Sequence, residues 1–356
     1  MFNGSPAKQQ LPLKEMKTAR SGELTVDRYG FTTEATAHRS IEYWRTIESA
    51  TQRKKRMRIE NGRVHKWQEM LHPEKFKIYR DSRKLKTRAW KGIPNAMRQQ
   101  AWFQLAGASV LKQCQPKLYD TLQHESENED MWSDKILLDI DRTFPNHVMF
   151  RDIGGTGQRQ LFRILRAYSI HDREVGYCQG IGFIAAFLLT YMEEENVFWM
   201  LVAILRGDKF QLYGMYIDGM PKVLLNMATF DRLLAETNPK LANHFESLMV
   251  QSPMYTTDWF MTLFTSTFPF DYVVRIWDVY LSEGDAKIIY RVSLALLRCV
   301  QHNLLSLDFE NTLKTLQDLP TSLSGVLLIS PEAFMRQVEA VRITTQQVRD
   351  IEATFK

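Results

Sequence analysis

An all-α fold is what this sequence predicts, and three observations predict it. Apolar residues recur at spacings of three and four in one stretch after another, no stretch alternates convincingly at period two, and 44% of the 356 residues are hydrophobic, enough for a sizeable core. The longest apolar run, Ile181 to Met192, is shorter than the ~20 residues that cross a bilayer, and Glu193, Glu194 and Glu195 close it. Adjacent short helices in a bundle or layered array, forming one globular unit rather than two, are the expected architecture.

Residues 1 to about 37 mix Pro, Gly, Ser and Thr with charges, which predicts a mobile lead-in with one anchored element at Tyr29-Gly30-Phe31. From Ser40 to Leu71 the pattern turns helical. Ile41, Trp44 and Ile47 recur at spacing three, and Val64, Trp67, Met70 and Leu71 resume the signal after Asn61-Gly62, so two amphipathic helices are expected. Beyond Pro94 the stripes are Trp102, Leu105 and Ala106; Leu137, Leu138 and Ile140; and Leu161, Ile164, Leu165 and Tyr168. Further helices are expected at 180–191, 197–205, 221–234, 241–249, 257–265, 272–281, 286–300 and 331–341. Asn196 is the expected N-cap of the second of these, and Pro221 suits a first turn. Two rough halves meet near Tyr213 to Met220, with no repeat visible.

The formal charge of +5 hides an asymmetry: residues 1–90 carry a net +11 and residues 91–356 a net −6. The basic end favours acidic partners such as membrane headgroups, nucleic acid or an acidic protein. Its densest part, Arg53-Lys54-Lys55-Arg56-Met57-Arg58, reads more readily as a solvated helix face than as a targeting signal. Three cysteines, Cys114, Cys178 and Cys299, are too few and too odd for a disulfide framework, so a reducing cytoplasmic setting is expected. The opening residues lack a leader's apolar region, and the last four lack a prenylatable cysteine.

Several chemistries fall away. Gly154-Gly155-Thr156-Gly157 is followed by Gln158 and Arg159, not the Lys and Ser/Thr of a phosphate loop, and reads as a flexible connector. Cys178 with His171 has no context that would make it a thiolate and base, and none of the eight histidines has strong zinc-ligand spacing. Helix-turn-helix, zinc-finger and RNP signatures are missing, and the acidic remainder opposes a phosphate track, so no nucleic-acid partner is expected.

Two segments carry more. In 136–145 a helix runs out at Arg142 and is stopped by Pro145; Asp139 and Arg142, at i and i+3, share a face, so the carboxylate can hold the guanidinium. In 175–181 a lone carboxamide, Gln179, stands between Gly176 and Gly180 at the start of a very apolar helix. An amide both donates and accepts, so it can orient a water, while flanking glycines let a partner backbone approach. Taken alone, the two segments also read as a surface ion pair and a helix start.

Together they resemble the TBC domain, the family of GTPase-activating proteins for Rab GTPases. The family's IxxDxxR pattern is complete in Ile136, Asp139 and Arg142, and its YxQ pattern in Tyr177 and Gln179. Lys91-Gly92-Ile93-Pro94 with Arg98 and Trp102 is similar to its upstream block. Asn238-Pro239 with His244-Phe245, Trp259-Phe260 with Leu263-Phe264, and Arg275-Ile276-Trp277-Asp278 with Glu283-Gly284 are similar to its later ones. The resemblance spans roughly 63–340. It implies a helices-only domain there, a partly flexible N-terminal extension over 1–62 with a basic helix near 40–62, and a helical tail over 341–356.

It also implies roles. Arg142 and Gln179 would both enter the nucleotide site of a GTP-bound Rab, Arg142 neutralising charge in phosphoryl transfer and Gln179 positioning the attacking water, with Asp139 and Tyr177 supporting them. GTP and Mg²⁺ would come with the GTPase; the chain would need no cofactor or metal of its own and have no independent hydrolase activity. The implied setting is cytoplasmic, peripheral on endomembranes, with acidic lipid met through the basic N-terminal segment. Arg98, Trp102, Trp259, Trp277 and Asp278 are expected to be architectural. The rival readings are a non-catalytic Rab-binding adaptor and a membrane-surface scaffold.

Overall fold

The apolar periodicity is realised as eighteen α-helices among the residues that the computed structural model describes, which are 26–32, 50–124, 131–210, 212–326 and 329–355. The N-terminal half holds α1 (Ala50–Leu71), α2 (Pro73–Tyr79), α3 (Arg83–Trp90), α4 (Asn95–Leu105), α5 (Ala108–Cys114), α6 (Leu118–Gln123), α7 (Ser133–Ile140), α8 (Thr156–His171), α9 (Ile181–Leu189) and α10 (Glu194–Arg206). After a 3-10 turn at Tyr213–Met215 come α11 (Pro221–Thr237), α12 (Pro239–Ser247), α13 (Pro253–Met261), α14 (Phe270–Glu283), α15 (Lys287–Leu304), α16 (Phe309–Val326), α17 (Pro331–Ala340) and α18 (Thr345–Ala353). No strand occurs among the described residues; Val26 bridges Thr32 and Phe31 bridges His147, each in isolation.

The first half is organised around α8, which packs on α6, α7, α9 and α10; in the second half α11 packs on α12, α13, α15 and α18. Helix α14 joins the halves. It packs against α3 and α4 as well as α15 and α17, and nearly all of it is buried. Its three buried charged residues are each met: Asp271 by Arg28, Arg275 by the Trp90 carbonyl and Glu332, Asp278 by Arg98, Trp102 and the Ile93 amide. A hydrophobic aromatic column of Trp102, Phe187 and Trp277 crosses the seam. Side-chain caps start several helices: Ser82 on the Leu85 amide, Asn238 on Leu241, Ser330 on Ala333 and Thr344 on Gln347.

Several local expectations are corrected. Asn61-Gly62 does not interrupt the helix: α1 runs through it, so the expected boundary between 62 and 63 falls inside one element. A helical glycine costs only about 1 kcal/mol, less than burial of Trp67, Met70 and Leu71 returns. Helix α10 begins at Glu194, with Glu193 as N-cap; Asn196 lies in its first turn and accepts from Lys112. Gly154–Gly157 is a tied helix start, where Gln158 accepts from the Gly154 amide and donates to the Phe150 carbonyl. On α7 the inward residues are Ile136, Asp139 and Ile140, whereas Leu137 and Leu138 are exposed.

The anchored element at Tyr29-Gly30-Phe31 is present. Phe31 meets Phe144, His147 and Phe270 edge-on, and Gly30, at φ +96°, lies where a Cβ would stand 2.7 Å from the His147 ring. The rest of the lead-in expected over 1–37, and the first part, 40–49, of the basic helix expected near 40–62, with Ile41, Trp44 and Ile47, lie outside the described residues; from Ala50 on that helix is present as α1.

Candidate functional site

Helix α7 ends at Ile140, with Asp141 as its C-cap, and Arg142 stands on the turn that follows. That turn contains a bulky residue in left-handed backbone, Phe144 at φ +50°, a conformation that persists only where the surroundings over-determine it. They do so here through rings: Phe144 packs edge-on against Phe31, Phe183 and Phe270. Thr143 adds a hydroxyl donated to the Asp139 carbonyl at 2.7 Å. Two residues past Arg142, therefore, the chain is clamped.

Asp139 is the centre of the site. Its side chain is 3% exposed, while that of Arg142 is 49% exposed. Arg142 donates from Nε and Nη2 to one carboxylate oxygen, Oδ1. The other oxygen, Oδ2, accepts from the hydroxyl of buried Tyr177. Burial first, and the Asp139 charge and hydrogen bond next, push the Tyr177 phenol well above its ordinary range, so it remains a donor. Gly182 of α9 makes room for this pair: a Cβ there would lie 3.0 Å from the Tyr177 hydroxyl and 3.7 Å from Asp139 Oδ2.

Gln179 lies two residues beyond Tyr177, exposed, and its carboxamide makes no hydrogen bond among the described residues. The glycines beside it serve the chain's own packing. A Cβ on Gly176, at φ +53°, would stand 2.2 Å from the Trp132 ring, and one on Gly180, at φ +107°, 3.2 Å from the Met261 carbonyl. Close approach is thus required by Trp132 and Met261 inside the molecule, a reason for glycine at both positions that the sequence did not show.

The base of the Gln179 loop is knotted by a residue that the sequence did not single out. Asp172 accepts from Arg206 Nε at 2.5 Å and Nη2 at 2.6 Å, from the Tyr168 hydroxyl at 3.0 Å and from the Val175 amide at 3.3 Å. Burial alone would raise its pKa, but these donors outweigh it and hold the carboxyl below its ordinary value. Its only sequence signal was a carboxylate just after a helix end. Cys178 is partly buried, and burial pushes its thiol up, away from nucleophilic character.

Asp139 thus joins the turn carrying Arg142 to the loop carrying Gln179, leaving one guanidinium half-exposed and one carboxamide free. Among the described residues no three His, Cys, Asp or Glu side chains group as metal ligands. The arrangement offers donors to something outside the chain. Leu137 and Leu138 on α7, and Val148 and Ile153 in the segment between α7 and α8, are exposed apolar residues. No helix among the described residues is long and apolar enough to cross a membrane.

Residues 95–305 match the family model of the Rab-GTPase-TBC domain, a span that includes Asp139, Arg142, Tyr177 and Gln179. Mouse Carabin is 36% identical over 296 residues, covering 81% of this chain and 64% of Carabin. Human TBC1 domain family member 10B is 35% identical over 301 residues, 83% of this chain but 35% of that protein. TBC1 domain family member whacked of Drosophila melanogaster is 33% identical, covering 79% of this chain and 74% of its own length. Among solved structures, the Chlamydomonas flagellar RabGAP TBC domain superposes with a TM-score of 0.69 at 26% identity, over 89% of this chain and 99% of that one. The Ypt/Rab-GAP domain of Gyp1p superposes at 0.64 with 22% identity, a likeness of fold.

Proposed function

The chain belongs to the Rab-GTPase-TBC domain family, and from that premise we propose that it stimulates GTP hydrolysis by a Rab GTPase, with Arg142 and Gln179 supplied in trans. One observation carries the reading: a buried carboxylate holds Arg142 by one oxygen and Tyr177, beside free Gln179, by the other. Arg142 keeps Nη1 without a partner among the described residues, so the guanidinium can add phosphate oxygens without first leaving Asp139.

Phosphoryl transfer from GTP spreads charge over the leaving and equatorial oxygens, and a guanidinium brought to them is worth about 10³ to 10⁵ in rate, roughly 4–7 kcal/mol of barrier. Asp139 fixes the plane of that group and keeps it from collapsing onto the surface. Gln179 accepts a hydrogen bond from the attacking water through its carbonyl oxygen and donates one from its amide nitrogen, orienting the nucleophile. GTP and Mg²⁺ arrive with the GTPase. Exposed Leu137 and Leu138, on the helix that leads to Arg142, offer that partner apolar contacts. A regulator of vesicle traffic is the role that follows.

The test is a hydrolysis screen of the purified chain across a panel of GTP-loaded Rab GTPases. Acceleration for at least one member, far above its intrinsic rate, is the expected result. Saturable binding to a GTP-loaded Rab with no acceleration would make the chain an adaptor instead.

A further inference from the structure

The loop 26–32 lies outside the span that matches the family, 95–305, yet it is built into the back of the turn that carries Arg142. It closes on itself: Val26 bridges Thr32, Asp27 Oδ1 accepts from the Tyr29 amide at 2.8 Å and the Phe31 amide at 2.9 Å, and the Asp27 amide donates to the Phe31 carbonyl at 2.8 Å. An aspartate that accepts from the amide two residues on favours a turn by itself. Hydrogen bonds then join the loop to 146–148. The Thr32 amide donates to the Asn146 carbonyl at 3.1 Å, the Val148 amide to the Gly30 carbonyl at 2.9 Å, and His147 Nε2 to the Tyr29 carbonyl at 2.6 Å. Arg28 reaches further, to Asp271 in the first turn of α14, and Tyr29 meets Phe270 edge-on at 5.9 Å.

Phe31 completes a set of rings. Its centroid lies 4.9 Å from those of Phe270 and His147 and 5.9 Å from that of Phe144, each contact edge-on. Phe144 is packed also by Phe150, Phe183 and Phe270, all inside the family-matching span, so Phe31 is the ring that the loop adds. Two residues past Arg142, Phe144 holds φ +50°, backbone that a phenylalanine keeps only while its neighbours fix it. Removing Phe31 opens space beside that ring, and the turn can relax toward ordinary backbone. Asp139 holds the guanidinium of Arg142, but the direction in which Nη1 is presented depends on the backbone of this turn.

We propose that the loop 26–32 is a strap that positions Arg142 for phosphoryl transfer, with Phe31 as its main positioning residue. This role rests on the reading of Arg142 as a finger. A reacting group displaced by about 1 Å can lose about 10²-fold in rate. A strap that holds the turn within such a distance acts on turnover, while capture of the GTPase is left to other contacts. Phe31 does so through Phe144, and Asp27 does so by keeping the loop closed.

The experiment uses the full chain and the Rab that responds best in the hydrolysis screen. Single-turnover hydrolysis is followed over a range of chain concentrations. Binding is measured to that Rab loaded with a non-hydrolysable GTP analogue and, separately, with GDP and aluminium fluoride, which mimics the phosphoryl group in transfer. Phe31→Ala should lower the maximal rate and weaken the fluoride complex alike, by about tenfold or more, with binding to the analogue-loaded Rab unchanged. Phe31→Leu should restore most of both. Asp27→Ala, which loosens the loop and leaves every ring in place, should give a smaller fall in the same two readings, and Asp27→Asn, which keeps the acceptor, should match the wild type. Hydrogen exchange of the His147, Phe150 and Arg151 amides, all bonded within the turn, should speed up in Phe31→Ala. Melting curves confirm that each variant is folded at the assay temperature; if Phe31→Ala is not, the Asp27 pair decides. Equal weakening of both complexes, or unchanged exchange, would overturn the strap. A wild-type chain that accelerates no Rab overturns the finger reading and this role with it, whereas an active wild type with an equally active Phe31→Ala overturns the strap alone.

Discussion

Arg98 and Arg142 each lean on an almost completely buried aspartate, yet the Arg98 side chain is 8% exposed and that of Arg142 49%. Arg98 is bonded through all three guanidinium nitrogens: Nε reaches Asp278 Oδ1 at 3.2 Å, Nη2 reaches Oδ2 at 3.1 Å, and Nη1 reaches Asn95 at 3.1 Å. Burial works to lower its pKa, and Asp278 outweighs burial, so the cation is kept. Asp278 is itself completed by Trp102 at 2.9 Å and the Ile93 amide at 2.9 Å. Arg142 instead places two nitrogens on a single oxygen and leaves the third free. The same ion pair closes on itself when all three guanidinium nitrogens are bonded inside, and keeps a nitrogen for a partner outside, the role proposed for Arg142, when the guanidinium stands half in solvent.

The comparison breaks if the two arginines fail to separate rate from stability. Arg142→Ala should cost the most: stimulated hydrolysis should fall by about 10³ to 10⁵, read in single-turnover assays with the responsive Rab. Its unfolding midpoint should fall less than that of Arg98→Ala, because Arg142 stands half in solvent, so its removal lets water reach Asp139 Oδ1 while Tyr177 still donates to Oδ2. For Arg98→Ala the order reverses. Removing one partner of a buried pair leaves Asp278 uncompensated and should destabilise the fold by about 3–5 kcal/mol in urea.

Tyr177→Phe sharpens the contrast from the middle. It takes the donor from Asp139 Oδ2 while leaving the ring's packing, so a loss of about 1–3 kcal/mol of stability is expected, together with a fall in hydrolysis smaller than that of Arg142→Ala. Unchanged rate and stability would show that the shared carboxylate joins nothing of consequence.

The smallest effect concerns the clamp behind the finger turn. His147 Nδ1 accepts from the Met149 amide at 3.1 Å, so Nε2 carries the proton donated to the Tyr29 carbonyl at 2.6 Å. Burial lowers the His147 pKa below its ordinary value, against the opposing pull of the Tyr29 carbonyl. The folded state therefore favours neutral imidazole, and the unfolded state binds more protons as the pH falls below about 6.5. Stability from this group is full above that pH and is lost below it. Melting curves from pH 8 to pH 5 should show this slope, and His147→Gln should flatten it.

What the sequence made legible follows from distance along the chain. Asp139 and Arg142 sit one helical turn apart, so their pairing could be read from spacing alone. The Tyr177–Asp139 bond spans 38 positions and needs the fold. Apolar spacing puts Leu137 and Leu138 in one stripe with Ile140, but once Arg142 and Tyr177 satisfy Asp139 the carboxylate takes the buried face and the leucines turn outward. Tyr29-Gly30-Phe31 could be recognised as an anchored element, but its partners Phe144, His147 and Phe270 could not. Short helices such as α2, α3, α5 and α6 have too few turns to establish a period, and Pro320 inside α16 reads as a breaker.

The central claim is that Arg142 acts on a phosphoryl group outside the chain while Asp139 merely holds it. Arg142→Lys tests it most directly, because lysine keeps the charge and loses the planar fork that bridges two phosphate oxygens. With the responsive Rab in excess and binding confirmed, stimulated hydrolysis should fall by about 10² or more, with melting and Rab binding unchanged. Hydrolysis at the wild-type rate under those conditions would contradict the account.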